Sequence, residues 1–223
     1  MKSLCAIAIS LSCATAFAQG TFKNLDFEQA NPAGGNTTAA LFPGWTVYFG
    51  SVQQSFAAYD PSVGDSQPSI YLGDDKTGGQ PFQGNYYAFL QSAANGEVNY
   101  DVSLVQTGVV PSGTDSIELD AFDVNSSFVL TFDGKPVNMQ PLQTFPNYTV
   151  YGGDVSEWSG QNATLDITQL APTASSPSTL QLDNISFSPN PITVTPEPDA
   201  LTLMSVGGLL FGLYRRIQLC RKK

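Results

Sequence analysis

Apolar and polar residues take turns along the middle of this chain. Val98, Tyr100, Val102 and Leu104 alternate with Asn99, Asp101 and Ser103. Ile117, Leu119 and Ala121 are separated by Glu118 and Asp120, and Ala163, Leu165 and Ile167 by Thr164 and Asp166. A period of two sends one set of side chains to each face of an extended backbone, so these segments are predicted to be half-buried strands. Residues 85–91, with Tyr86, Tyr87, Phe89 and Leu90, predict a more deeply buried strand. Residues 128–132 and 135–139 flank Asp133-Gly134. That dipeptide predicts a hairpin, because a type I′ turn needs positive φ at both central residues. Turn formers such as Pro111-Ser112-Gly113-Thr114 punctuate the rest, and no amphipathic helix of useful length interrupts it. Many short strands, evenly broken, predict an all-β sandwich.

The closing segment breaks its own period. Leu180 and Leu182 share one parity, Ile185 and Phe187 the other. An unbroken strand would send the two pairs to opposite faces. One extra residue near Asp183-Asn184, a β-bulge, would turn both pairs inward.

The two ends of the chain carry different patterns. Lys2, a short apolar run over residues 4–11 and the small residues Ala16 and Ala18 form a secretory signal, with cleavage expected before Gln19. At the other end Pro196-Glu197-Pro198 precedes an uncharged, largely apolar stretch over residues 200–214, then Arg215, Arg216, Arg221, Lys222 and Lys223. Such a stretch is marginal for a hydrocarbon core about 30 Å thick. The basic cluster would stay on the cytoplasmic side and halt export. The expected organisation is a signal peptide over residues 1–18, a β-sandwich over 19–188, a Pro-rich spacer over 189–195, and a sorting or anchoring segment with one hydrophobic helix over 196–223.

Charge sorts the function classes. Lys23, Lys76 and Lys135 are the only basic residues between the ends, against seventeen acidic ones, for a net charge of −14. Such a surface repels phosphate backbones, so no nucleic-acid partner is expected. Cys5, Cys13 and Cys220 all lie in the two end segments, so the exported part has no disulfide and depends on its core alone. The chain contains no histidine, which removes Ser-His-Asp and Cys-His catalysis and imidazole zinc sites. Asp60, Asp65, Asp74 and Asp75 cluster among Gly, Ser and Pro, in a spacing that matches no EF-hand.

Two resemblances follow from these residues. Pro-Glu-Pro, a short apolar helix containing Gly207-Gly208, and an Arg-rich end together resemble the PEP-CTERM sorting tag. That likeness implies an exosortase as partner, besides signal peptidase. It also implies transient inner-membrane anchoring before arrival at the cell surface or extracellular matrix. The opening Asn24-Leu25-Asp26-Phe27-Glu28, with Pro43-Gly44-Trp45, and the closing residues 180–187 resemble galactose-binding-like jelly rolls, many of them carbohydrate-binding modules. The likeness implies that first and last strands are neighbours. It also implies that Glu28 and Asp183 hold a structural calcium ion, completed by backbone carbonyls.

The function expected is a noncatalytic exported surface or matrix protein that binds exopolysaccharide. Trp45, Tyr48, Tyr59, Tyr71, Tyr86, Tyr87 and Trp158 could stack on sugar rings. Tyr59 and Trp158, in polar loop-like context, are the preferred candidates and Trp45 reads as packing. Two alternatives stay open: an adhesive matrix protein acting through protein contacts, and a glycoside-active enzyme using paired carboxylates.

Overall fold

A computed structural model describes residues 21–59, 67–74, 82–95, 98–124, 128–172 and 177–192. The chain divides between Ile192 and Thr193, and every described residue belongs to the first unit. The expected signal peptide and the expected tag with Pro196, Glu197, Pro198, Arg215, Arg216, Arg221, Lys222 and Lys223 lie outside the described residues, as do Asp60, Asp65 and Asp75.

The described strands form two sheets. The smaller contains, in spatial order, β10 (Lys135–Pro136), β9 (Phe128–Phe132), β13 (Asn162–Gln169), β7 (Val102–Val109), β1 (Thr46–Phe49) and β2 (Val52–Gln54). The larger runs through β11 (Gln140–Thr144), β12 (Thr149–Asp154), β8 (Ser116–Val124), β14 (Ser178–Ser188), β5 (Tyr86–Asn95), β4 (Ser69–Asp74) and β3 (Ala58–Tyr59), with β6 (Val98–Tyr100) paired to β5. From β7 onward the chain crosses repeatedly between the sheets: β7, β9 and β13 lie in one, β8, β12 and β14 in the other. A four-residue helix, Thr38–Leu41, is capped by the Thr37 hydroxyl, which accepts from Ala40 N at 3.2 Å.

One apolar core lies between the sheets. Val47, Leu104, Leu130, Phe132, Leu165 and Ile167 come from the smaller sheet, and Leu72, Leu90, Ile117, Leu119, Leu180 and Leu182 from the larger. All but a few of its side chains are out of reach of water. The alternations read from the sequence point these residues inward, so the observed architecture is the expected β-sandwich. Trp45 is packing, as read: it is 5% exposed, and its indole N–H donates to the Asn24 carbonyl at 2.9 Å.

Three local features differ from, or sharpen, the sequence reading. The alternating run at 98–104 is two strands in two sheets. At Asp101 the chain crosses over. The Asp101 carboxylate accepts from Ala171 N at 2.6 Å, and its carbonyl from Gly50 N at 2.8 Å. Period two is blind to such a crossing, because it reports side-chain direction and not strand partner. The hairpin at Asp133-Gly134 is present, with φ of 50° and 77°. Its second strand stops at Pro136, which has no N–H for the ladder. The bulge is present as read: Asp183 faces Asp120 while Ser186 faces Glu118, one residue extra on β14. Asn184 takes φ 50° there, and Leu180, Leu182 and Ile185 are all buried.

The opening motif is not a strand. Asn24 and Phe27 have φ of 53° and 57°, so the segment turns twice. It still docks on the closing strand: Ile185 N donates to the Leu25 carbonyl at 3.0 Å, and the Phe22 ring lies 5.4 Å from Phe187. The first strand proper, β1, belongs to the other sheet.

Candidate functional site

The larger sheet has an outer face with unusual chemistry. On β8, Ile117, Leu119 and Ala121 face the core, so Glu118, Asp120 and Phe122 face away from it. By the same alternation Gln181 and Asp183 on β14, Tyr87 and Phe89 on β5, and Tyr71 on β4 share that outer face. The register aligns them. Tyr71 pairs with Phe89, Phe89 with Gln181, and Gln181 with Phe122, in one row across four strands. Tyr71 and Phe89 stack at 4.2 Å and are 6% and 7% exposed. Phe122, at the other end, is 41% exposed.

A stack of rings stands beside the open end. Tyr148 immediately precedes Thr149, the partner of Ala121, and so lies next to Phe122. Its ring stacks on Phe82 at 4.8 Å and on Phe145 at 4.6 Å, near parallel to both. All three rings are half-buried. Half-exposed aromatic faces in line across a sheet present apolar area at low entropic cost, which suits ring-shaped polar ligands.

Two carboxylates fix the segment that carries Phe82. Glu28 accepts from the backbone N–H of Asn85 and of Tyr86, the latter at 2.9 Å, and from the Asn85 side chain at 2.8 Å. Asp183 accepts from Gln83 N at 2.9 Å and from Asn184 N at 2.7 Å. Between them Gly84 passes over Glu28 with φ 65°, and a Cβ there would collide with the Glu28 carboxylate. The pair named from the sequence therefore meets at residues 82–86, one carboxylate gripping each end.

Asp183 is wholly buried. Burial pushes its carboxyl up to about 7; the Gln83 and Asn184 N–H groups oppose the rise, and neighbouring Asp120 adds to it. Asp120 is also raised by burial, partly offset by the Asn184 amide, which donates to it at 3.2 Å. As a calcium site the set is partial. Glu28 and Asp183 supply hard oxygens already engaged by N–H donors, and the remaining ligands would have to be carbonyls. Among the described residues no group of three or more His, Cys, Asp or Glu could hold a metal ion. The buried pair also offers no substrate-reaching acid and base, since Asp120 is 6% and Asp183 0% exposed.

The two preferred stacking residues lie elsewhere and are not brought together. Tyr59 is half-buried in β3, with its hydroxyl donating to Asp74 Oδ2 at 2.6 Å. Trp158 corrects the sequence reading. Its ring is 8% exposed, lies 5.2 Å from Phe132, and has the Lys135 ammonium 5.4 Å from its centre. Phe132 and the Lys135 ammonium, itself paired with Glu157, leave little of the ring to a sugar. Phe82 and Tyr148 stand in turn-rich stretches with no period to mark them, and Phe122 follows Ala121 within a strand, so the sequence reading does not single them out. The alternation of β8 could have flagged Phe122, an apolar residue on the polar parity.

No family model and no curated protein matches the chain. Among solved structures, one described as TmCBM61 in complex with beta-1,4-galactotriose aligns with a TM-score of 0.44 and 12% identity. The alignment covers 77% of this chain and 99% of that one. A likeness at that score leaves the function to be argued from this chain's own residues.

Proposed function

We propose that this chain is a noncatalytic, exported jelly-roll protein that binds a polysaccharide along the outer face of its larger sheet. The observation that carries the reading is Phe122, a 41% exposed ring at the end of a cross-strand aromatic row, beside the Phe82–Tyr148–Phe145 stack. The half-buried Phe82, Phe145 and Tyr148 rings beside Phe122 supply the accessible aromatic faces on which sugars of a chain could stack. The test is affinity electrophoresis through exopolysaccharide of the producing strain. Retardation that Phe122→Ala and Tyr148→Ala weaken supports the reading, and unaltered mobility of the wild type sinks it.

Routing belongs to the same proposal. Signal peptidase would remove residues 1–18, and an exosortase would act at Pro196-Glu197-Pro198 while residues 200–223 hold the chain in the inner membrane. The support is the order of motif, apolar stretch and basic cluster. A Pro-Glu-Pro to Ala-Ala-Ala variant would stay in the inner membrane at full tail length. Its normal release would remove the routing.

Calcium is proposed at Glu28 and Asp183. The support is a buried carboxylate that, among the described residues, has no cation beside it and whose ionised form a bound cation would stabilise. Calorimetric titration of the metal-free protein checks this: no heat and no rise in Tm at millimolar calcium would dismiss it.

A second reading, adhesion through protein contacts, is favoured by the β2 edge. Val52 and Phe56 are exposed there, at 59% and 61%. Exposed edges pair readily with other strands. Light scattering that shows concentration-dependent growth, abolished by Val52→Lys, would select it.

A further inference from the structure

Where the opening segment crosses the bulge of β14, a cleft of about 560 Å³ remains. None of the aromatic-row residues lines it. Asn24 does, although only 2% exposed. Its Oδ1 accepts from Gln29 N at 2.8 Å, which fixes the orientation of the amide. Its Nδ2 is then buried with no hydrogen-bond partner. Flipping the amide would lose the Gln29 bond and gain nothing. A buried donor without an acceptor is costly, and native proteins rarely keep one without a reason. Asn24 lines the cleft, which has the room to hold an acceptor.

The walls say what kind. The half-buried Phe187 ring and Ile185 offer apolar surface, and Gln29, Gln83 and Asn184 offer amides that both donate and accept. Lys23 and Asp26 contribute one charge of each sign. Apolar surface for C–H groups, amides for hydroxyls and no net charge match a pyranose and mismatch an ion or a lipid. The volume falls in the ordinary range for small-molecule sites, about 300–1,000 Å³.

We propose that this cleft binds a single neutral sugar unit, with a hydroxyl oxygen of the sugar accepting from Asn24 Nδ2. It is a second site, independent of the sheet face. A chain end seated here would give the protein a grip on a glycan terminus as well as on its length.

The purified full-length chain would be titrated calorimetrically with glucose, galactose, mannose and N-acetylglucosamine, and with glucuronate as the charged probe. At least one neutral sugar should saturate, and glucuronate should bind more weakly. Asn24→Asp keeps the acceptor for Gln29 N and replaces the donor by an oxygen, so it should weaken binding by about tenfold or more. Ser186→Trp, from an exposed position on the rim, should fill the cleft and abolish binding. The proposal is overturned if no neutral sugar saturates, if glucuronate binds as tightly, or if Ser186→Trp binds like the wild type. Should Asn24→Asp fail to fold, Ser186→Trp decides alone.

Discussion

Asp183 combines two demands in one side chain. Its oxygens hold Gln83 and Asn184, and the price is a carboxylate with no exposed surface. Its carboxyl is raised from 3.8 to about 7. Between those values the folded protein holds a proton that the unfolded chain has released. This contribution to stability is therefore full below about pH 4 and is lost as pH climbs through 7, by at most about 4 kcal/mol. Thermal melts should show Tm falling from pH 5 to pH 8. If calcium binds here, it should raise Tm at pH 8 more than at pH 5; an equal rise at both would detach the ion from Asp183. Gly84 is the other critical residue. Gly84→Ala adds a Cβ at positive φ against Glu28, and should cost about 2 kcal/mol or more in urea unfolding. That Glu28 and Asp183 approach one another was implied by the jelly-roll resemblance of the two end motifs, and both hold the segment at residues 83–86. What they grip was not legible, since residues 82–86 carry no charge or period that announces an acceptor 57 or 100 residues away.

At the level of elements, the sequence was most legible where a local rule has a single solution. Asp133-Gly134 admits one tight turn, and the parity slip at Asp183-Asn184 admits one bulge. The bulge makes a sharp prediction. A one-residue insertion after Asn184 shifts Ile185 and Phe187 by one place and swings them out of the core and off the opening segment. Circular dichroism of that variant should show no cooperative unfolding transition, whereas Asn184→Gly, which suits φ 50°, should melt within a few degrees of the wild type. The sequence was least legible at 98–104. There the hydrogen bonds to Asp101 from Ala171 and Gly50 redirect the chain, and both donors are distant in sequence. Trp158 differs from its sequence context for a related reason: a polar stretch need not leave its aromatic exposed, and the 3₁₀ turn Ser156–Trp158 folds the ring back onto Phe132. The aromatic row was invisible because it is assembled by strand register, with rings from β4, β5 and β8 aligned across Gln181 of β14.

For the molecule as a whole, the core between the sheets has to suffice. Residues 19–195 contain no cysteine, so a reductant should leave Tm unchanged; a shift of several degrees with dithiothreitol would mean that an end segment is covalently tied to the fold. The mass of the protein recovered outside the cell would report both expected cleavages, and any attached sugar or lipid.

The sheet order has a temporal consequence. β14, among the final described segments of the chain, lies between β8 and β5 in the middle of the larger sheet. Whatever delivers this polypeptide amino end first delivers its keystone late. Until Ser178–Ser188 has emerged, β4 and β5 have no hydrogen-bonded link to β8 and β12, and the aromatic row is cut in half. Nascent chains therefore lack a joined larger sheet through most of their synthesis, and its outer aromatic face is completed only at the last moment.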